Sequence, residues 1–394
     1  PTVPTHHVRA LPVQWTRKFG VGDLGLRALP FLYRGGNALI EKYPIDLIYF
    51  STTVFTSMTL GRLWKRRYGI PYVLDMQDPW VGDYYEQRPR SERPPKYRLA
   101  RQLHRWLEPW TMREVDGIIA VSAPYHETLR QRYPWIRQDQ CRTIPFGASP
   151  RDFAIAAGQS RTSTAQNELI HGLSLGALGR PKKLVCEAAC QAFRAGLERY
   201  PELFSKVRLK FVGTDYAPAE RAAATIEPIA RKLGLQKFIT EQPARVAYFA
   251  GLKSLQDSDF LLLLGSDDPH YMPSKLYPHI LARKPLLALL HENSVAAAML
   301  QRLGAGEVAT FANQENAGQI ADALLVEWCK LLQRLPYMPA VDWPLFEPHT
   351  ARETTRQQCE LFDRVCAKNR LRQRLDTPAR GSQPARPGGA TIDS

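Results

Sequence analysis

The chain has 394 residues, 44% of them hydrophobic and 23% charged, with a net charge of +15 and a pI near 9.6. At ~150 residues per domain this supports two cores, and the lack of an 18-residue apolar run excludes a membrane-spanning helix. Without zinc-finger spacing or an RNA-binding aromatic signature, the basic charge points to a phosphorylated substrate or an anionic membrane face and not to nucleic acid.

Residues 1–113 hold 18 Lys and Arg against 9 Asp and Glu, so much of the excess lies there. The opening "PTVPTHHVRALPVQW" has neither an initiator Met nor a signal-peptide pattern and is expected to enter a domain part-way through. "IDLIYFS" (45–51) is an apolar strand, followed by a helix that Ser51 or Thr52 can cap and Gly69 ends. "IPYVLDM" (70–76) is the next strand and 96–114 a basic helix. "DGIIAVS" (116–122) is a strand, "APYHETLRQRY" a helix, and "RTIPFGAS" (142–149) closes the first half.

The small polar stretch 154–168 has linker composition. The alternation then restarts: strand 171–178, helix from Lys182, strand 207–213, and a helix over "APAERAAATIEPIARKLG". "KFITEQ" is a short strand, "RVAYFAGLKSLQ" a helix and "DFLLLLG" a strand. A short helix, the run Leu286 to Leu290, "NSVAAAMLQRLG", "EVATF" and a helix to about Leu332 follow. Residues 349–375 read as a long polar helix, and 376–394 have the Pro, Gly and Ser content of a disordered tail.

Strands alternating with helices predict βαβ units, and continuous apolar runs predict parallel strands covered on both faces. The fold class is α/β, with two Rossmann-like doubly wound domains facing a cleft. The first spans 1–153 and is incomplete at its start; the second spans 169–335; the segment 336–375 packs back on the first. Six cysteines without a CxxC pair suit a reduced cytosolic protein, with Cys186 and Cys190 read as buried residues before half a metal site.

Ligands of such folds sit beyond the carboxyl ends of the strands. After strand 70–76 comes "QDPW", where Asp78 beside Trp80 can grip sugar hydroxyls or simply begin a turn before Pro79. After strand 171–178, "GRPKK" sets Gly179 where a ligand can approach, with Arg180, Lys182 and Lys183 able to neutralise a diphosphate, or to form a basic turn. Gly213 and Thr214 end the next strand. "GSDDPHYMPSK" is the densest polar cluster: Ser266, Asp267, Asp268, His270, Ser274 and Lys275. The helix start at Ser274–Lys275 can hold a phosphate or be an ordinary cap. Two neighbouring carboxylates without a third make a metal the minority reading. No G-x-G-x-x-G, Walker or G-x-S-x-G motif is present.

With these residues in place, the chain from about 40 to 365 resembles the GT-B glycosyltransferases of the family 4 type. "DLIYFSTTVFTSMTLGRLWKRRYGIPYVLDMQDPW", "DGIIAVSAPYHETL" with "RTIPFGASPRDF", "LKFVGTDY" and "SKLYPHILARKPLLAL" carry the likeness in order and spacing. The resemblance implies transfer of a sugar from a nucleotide-diphosphate donor, with retention and without an essential metal or other cofactor. It implies Gly179, Arg180, Lys182 or Lys183, Lys275 and the amides of 272–275 on the diphosphate, Gly213 and Thr214 along the donor cleft, and Asp78 and His126 on the acceptor side. The implied acceptor is a saccharide or lipid-linked glycan of surface-polysaccharide or glycolipid assembly. The implied place is the cytoplasm, against the anionic inner face of the plasma membrane. The family's E-x7-E pair falls at His270 and Pro278, which leaves Asp267 or Asp268 to stand in for the first glutamate. An epimerase of the same architecture, using Asp78, Asp267, Asp268 and His270 as acid and base, and a non-catalytic nucleotide-binding relative are the competing readings.

Overall fold

The computed structural model describes residues 3–82, 86, 89–90, 93, 96–158, 168–268 and 272–376, without the side chains of Arg180, Arg374 and Asp376. His270 and the expected tail beyond Asp376 lie outside this set.

The first sheet is parallel, in the order β1 (Ile48–Ser51), β2 (Tyr72–Met76), β3 (Gly117–Ala120), β4 (Cys141–Thr143). Its helices are α1 (Leu24–Lys42), α2 (Thr59–Tyr68), α3 (Tyr97–Met112) and α4 (Ala123–Arg132). Strand alternation divides the side chains between two faces. Tyr72, Leu74, Met76, Ile118 and Ala120 pack under Met58, Met112 and Leu129, while Val73 and Ile119 face the other way. Ser51 and Thr52 do not cap α2, whose N-cap position is Met58 without a side-chain bond. Thr52 instead accepts from the Val54 amide at 2.9 Å, in a turn that leads into a 3-10 segment.

The expected linker begins inside a helix, α5 (Pro150–Ala157), capped by Ser149 Oγ on the Asp152 amide. Phe153 and Ala156 bury in the second domain's core, which is what a polar-composition reading overlooks.

The second sheet runs β10–β9–β8–β5–β6–β7, all parallel. The strands are β5 (Ile170–Leu175), β6 (Val207–Val212), β7 (Ile239–Gln242), β8 (Phe260–Leu264), β9 (Leu286–His291) and β10 (Glu307–Phe311). Counted from β5, this is the doubly wound order, with its reversal between β5 and β8. Phe260, Leu262 and Leu264 point to a layer containing α6 (Lys183–Arg199), while Leu261 and Leu263 point to the layer of α5. Every residue of β8 and β9 is buried, as a central parallel strand requires.

The long helix expected over "APAERAAATIEPIARKLG" does not form. Only α7 (Glu227–Lys232) is helical, after a 3-10 turn at Ala219–Arg221. Pro218 and Pro228 punctuate the stretch, and Glu241 accepts the amides of Thr225, Ile226 and Glu227 at 2.8–2.9 Å, fixing the helix start there. The remaining helices longer than a single turn are α8 (Tyr248–Asp257), α9 (Leu276–Leu281), α10 (Val295–Leu303), α11 (Ala317–Arg334) and α12 (Ala351–Asp376), with one-turn helices at Val13–Thr16, Pro201–Phe204 and Trp343–Phe346.

Val341 and Phe346 still belong to the second core, so the return to the first domain starts later than residue 336. It comes with α12, whose Leu361 and Val365 cover Val73, Ile119 and Ile144. Where the chain recrosses, Ala148 and Thr350 form a parallel bridge. The Ala351 amide donates to Ala148 O at 2.9 Å, and the Ala148 amide to His349 O at 3.3 Å.

Candidate functional site

The sheet reversal places the ends of β5 and β8 side by side, and three loops are tied together there. Gly176 N–H donates to Val212 O and Leu178 N–H to Thr214 O, joining the turn after β5 to that after β6. Asp267 N–H donates to Pro181 O at 3.2 Å and Lys182 Nζ to Leu264 O at 2.9 Å, joining it to the end of β8. Between the loops lies a narrow cleft that opens to solvent. Ser174, Gly176, Lys182, Tyr216, Ser274 and Lys275 are among its walls.

Its electrostatics are cationic. Burial pulls Lys182 down to about 8, with the Lys275 charge adding to the effect. Burial likewise lowers Lys275, helped by the Arg245 guanidinium. Arg245 lies over the Tyr216 ring at 4.9 Å. Among the described residues neither Lys275 nor Arg245 has an ion pair. Cations that depress one another's protonation are relieved when an anion enters.

The backbone makes room for this crowding. Gly176 has φ of +128°, and a Cβ there would sit 3.3 Å from the Lys275 stem. Gly213, at φ +69°, turns the chain after β6. His279 is fully buried on α9, with Nδ1 2.6 Å from Lys275 O. Burial holds its pKa to about 4, so the ring is neutral and Nδ1–H donates to that carbonyl, which can only accept. Ser274 lines the cleft, and α9 has no side-chain cap, so the cap reading of Ser274 does not hold.

Two residues expected on the donor stand elsewhere. Lys183 is exposed and pairs with Glu187 at 3.9 Å one helical turn on, so Lys182 is the lysine of "GRPKK" that reaches the cleft. Thr214 is buried and donates its hydroxyl to Glu241; its side chain serves the start of α7 and is not a cleft wall. His126 is buried on α4, does not line the cleft, and burial lowers its pKa. Gly179 and Arg180 lie in the turn leading to α6.

Asp78 sits at the end of β2, facing the second domain. Although it keeps contact with solvent, crowding of its carboxyl, and then the charge of Asp268, raise its pKa. The two domains thus bring carboxylates from β2 and β8 toward each other. Ser266 Oγ accepts from the Asp268 amide at 3.2 Å, setting that turn. Trp80 does not reach a ligand; it is buried, stacked on Phe55 at 5.6 Å. No three His, Cys, Asp or Glu side chains gather as metal ligands among the described residues.

Sequence reasoning missed Gly176, Tyr216, Arg245 and His279. Gly176 was hidden inside the strand expected over 171–178, which ends at Leu175, whereas Tyr216 follows the strand expected over 207–213 and was within reach of that rule. Arg245 is brought in from the β7–α8 connection by sheet order alone, which no local pattern encodes.

Residues 1–147 match the family described as a glycosyl transferase 4-like domain. No curated protein matches the sequence. Among solved structures, the fold is similar to that of sucrose-phosphate synthase from Thermosynechococcus elongatus, with 16% identity, 88% of this chain and 78% of that one covered, and a TM-score of 0.54. It is similar to Anabaena HepE in complex with UDP-glucose, with 14% identity, 86% and 83% covered, and a TM-score of 0.57. It is also similar to a UDP-forming α,α-trehalose-phosphate synthase from Burkholderia vietnamiensis, with 15% identity, 87% and 76% covered, and a TM-score of 0.57. The fold is GT-B: two Rossmann-like domains facing a cleft.

Proposed function

We propose that this chain, which carries a glycosyl transferase 4-like first domain within a GT-B fold, is a glycosyltransferase whose donor is a nucleoside-diphosphate sugar. The observation that supports this most is the meeting of Lys182, Lys275 and Arg245 at the reversal of the second sheet. Negative charge grows on the leaving diphosphate as the glycosidic bond breaks. Fixed cations aimed at that charge lower the barrier because they need not reorganise. UDP is the first nucleotide to try, since one similar structure holds UDP-glucose. We read Asp78, whose carboxyl feels the charge of Asp268 from the second domain, as the group that takes the proton of an incoming acceptor hydroxyl. Transfer with retention and without a metal follows the family resemblance. The acceptor is proposed to be a polysaccharide or glycolipid carried at a membrane surface, in keeping with the basic first domain; among the described residues no helix is long and apolar enough to cross the membrane.

Thermal unfolding against UDP, GDP, ADP and their sugars tests this. A ligand at 100 times its dissociation constant adds ~2.7 kcal/mol. One nucleotide should raise Tm, and Lys182→Ala or Lys275→Ala should abolish the shift and lower turnover about 10²-fold. Lys183→Ala should change neither. No shift with any nucleotide overturns the reading. The approach of Asp78 to Asp268 favours one alternative, a sugar-nucleotide epimerase with an acid–base pair across the cleft. Conversion of a sugar nucleotide with no acceptor present would support that instead.

A further inference from the structure

We propose that α3 and the segment 13–20 form one docking face for an anionic lipid bilayer. This deepens the membrane-borne acceptor proposed above, and rests on that reading for its purpose. The inner side of α3 is buried through Glu108, Thr111 and Met112. Its outer side shows Arg98, Leu99, Gln102, Arg105 and Trp106, two helical turns of one stripe. Leu99 is 73% and Trp106 65% exposed, although neither is needed in water. A second element adds Trp15 at 68% and Phe19 at 86% exposure. The two are neighbours: a Cβ on Gly20 would stand 3.3 Å from the Nζ of Lys96, the residue that starts α3.

Charge selects the occupant. Residues 3–22 and 96–107 contain no Asp or Glu. Among the described residues Arg17, Lys18, Arg98 and Arg105 make no ion pair. A second copy of this face would set cation against cation. An anionic bilayer meets both needs, since Trp and Phe settle at the headgroup boundary while Lys and Arg engage the lipid charge. The face also adjoins the acceptor side of the cleft. His104, on the inner side of α3, meets the edge of Trp80 at 6.3 Å, and Trp80 is two residues from Asp78. An acceptor held in the bilayer would therefore approach the site from the docked side.

Flotation of the full chain with vesicles tests the proposal. At about 0.1 M salt, where the Debye length is about 10 Å, the chain is expected to bind phosphatidylcholine vesicles containing phosphatidylglycerol, and pure phosphatidylcholine vesicles far less. The double variant Arg98→Gln/Arg105→Gln should lower the partition coefficient about 25-fold, roughly fivefold per cation. Phe19→Ser/Trp106→Ser should also lower it, including at high salt where charge is screened. Nucleotide-induced Tm shifts should be unchanged in both variants. Three results overturn the proposal: no binding to either vesicle, binding that both variants retain, or a dimer in solution that Phe19→Ser/Trp106→Ser dissolves. Vesicle binding without any nucleotide shift would instead sink the transferase reading and leave this face standing.

Discussion

Lys182 gives the cleft a pH dependence with a definite sign. Its pKa is held to about 8 by burial and by Lys275, and a diphosphate binds the charged form. Affinity for the nucleotide should therefore be full below pH 8 and fall as pH rises through that value; Lys182→Arg should flatten the fall, as calorimetry across pH 6–10 would show. Asp78 runs the other way. Its raised pKa means the folded state prefers the neutral acid, so this carboxyl favours the fold at low pH and costs stability once ionised. Asp78→Asn should raise Tm at pH 7, with the gain shrinking toward pH 4. Glu108 is a structural counterpart. It is 1% exposed and accepts from Arg132 at 2.6 Å, Tyr133 at 2.5 Å and the Val81 amide at 3.3 Å. Removing it would leave Arg132 half-buried without its partner. Glu108→Ala should cost about 3–5 kcal/mol in urea unfolding and loosen the Asp78–Val81 turn.

Elements were legible in the sequence to the degree that their own side chains settle their environment. β8 and β9 were, because an uninterrupted run such as Phe260 to Leu264 fits only a strand covered on both faces. α1 was not: Gly25, Gly35, Gly36 and Pro30 give it poor intrinsic helicity. It forms because Asp23 caps it at 2.7 Å and is itself held by the Thr56 hydroxyl at 2.7 Å, from a distant turn. The truncated α7 fails for the same reason in reverse, since the carboxylate that starts it comes from β7. Cleft residues next to strand ends, such as Lys182, Ser274 and Lys275, could be read from the chain. The choice between Lys182 and Lys183 could not, because it depends on which side of a 3-10 turn faces Leu264. At this scale the turn after β5 is the sensitive part. Gly176→Val should crowd Lys275 and strain a φ of +128°. It should weaken nucleotide binding at least about tenfold while the far-UV spectrum stays unchanged, strain at such a position costing about 1–3 kcal/mol.

The whole molecule depends on its last helix. Leu361 is 1% exposed between Val73, Ile119 and Ile144, so Leu361→Ala should destabilise the first domain by about 2–5 kcal/mol. Nucleotide protection of the second domain should survive, so the first domain's unfolding transition should move to lower temperature while the nucleotide-dependent one stays in place. The same return path has a mechanical meaning. The chain crosses between the domains at Ala148 and again at Thr350, and the two crossings are laced together by backbone hydrogen bonds. Two adjacent segments joined in this way bend along one line, as a book opens along its spine. Rotation about that line is the motion left cheap, and it alters the gap between Asp78 and Asp268 far more than it disturbs either sheet. Fluorophores placed on the outer ends of α2 and α10 should then report a single distance coordinate, with two populations exchanging as nucleotide is added.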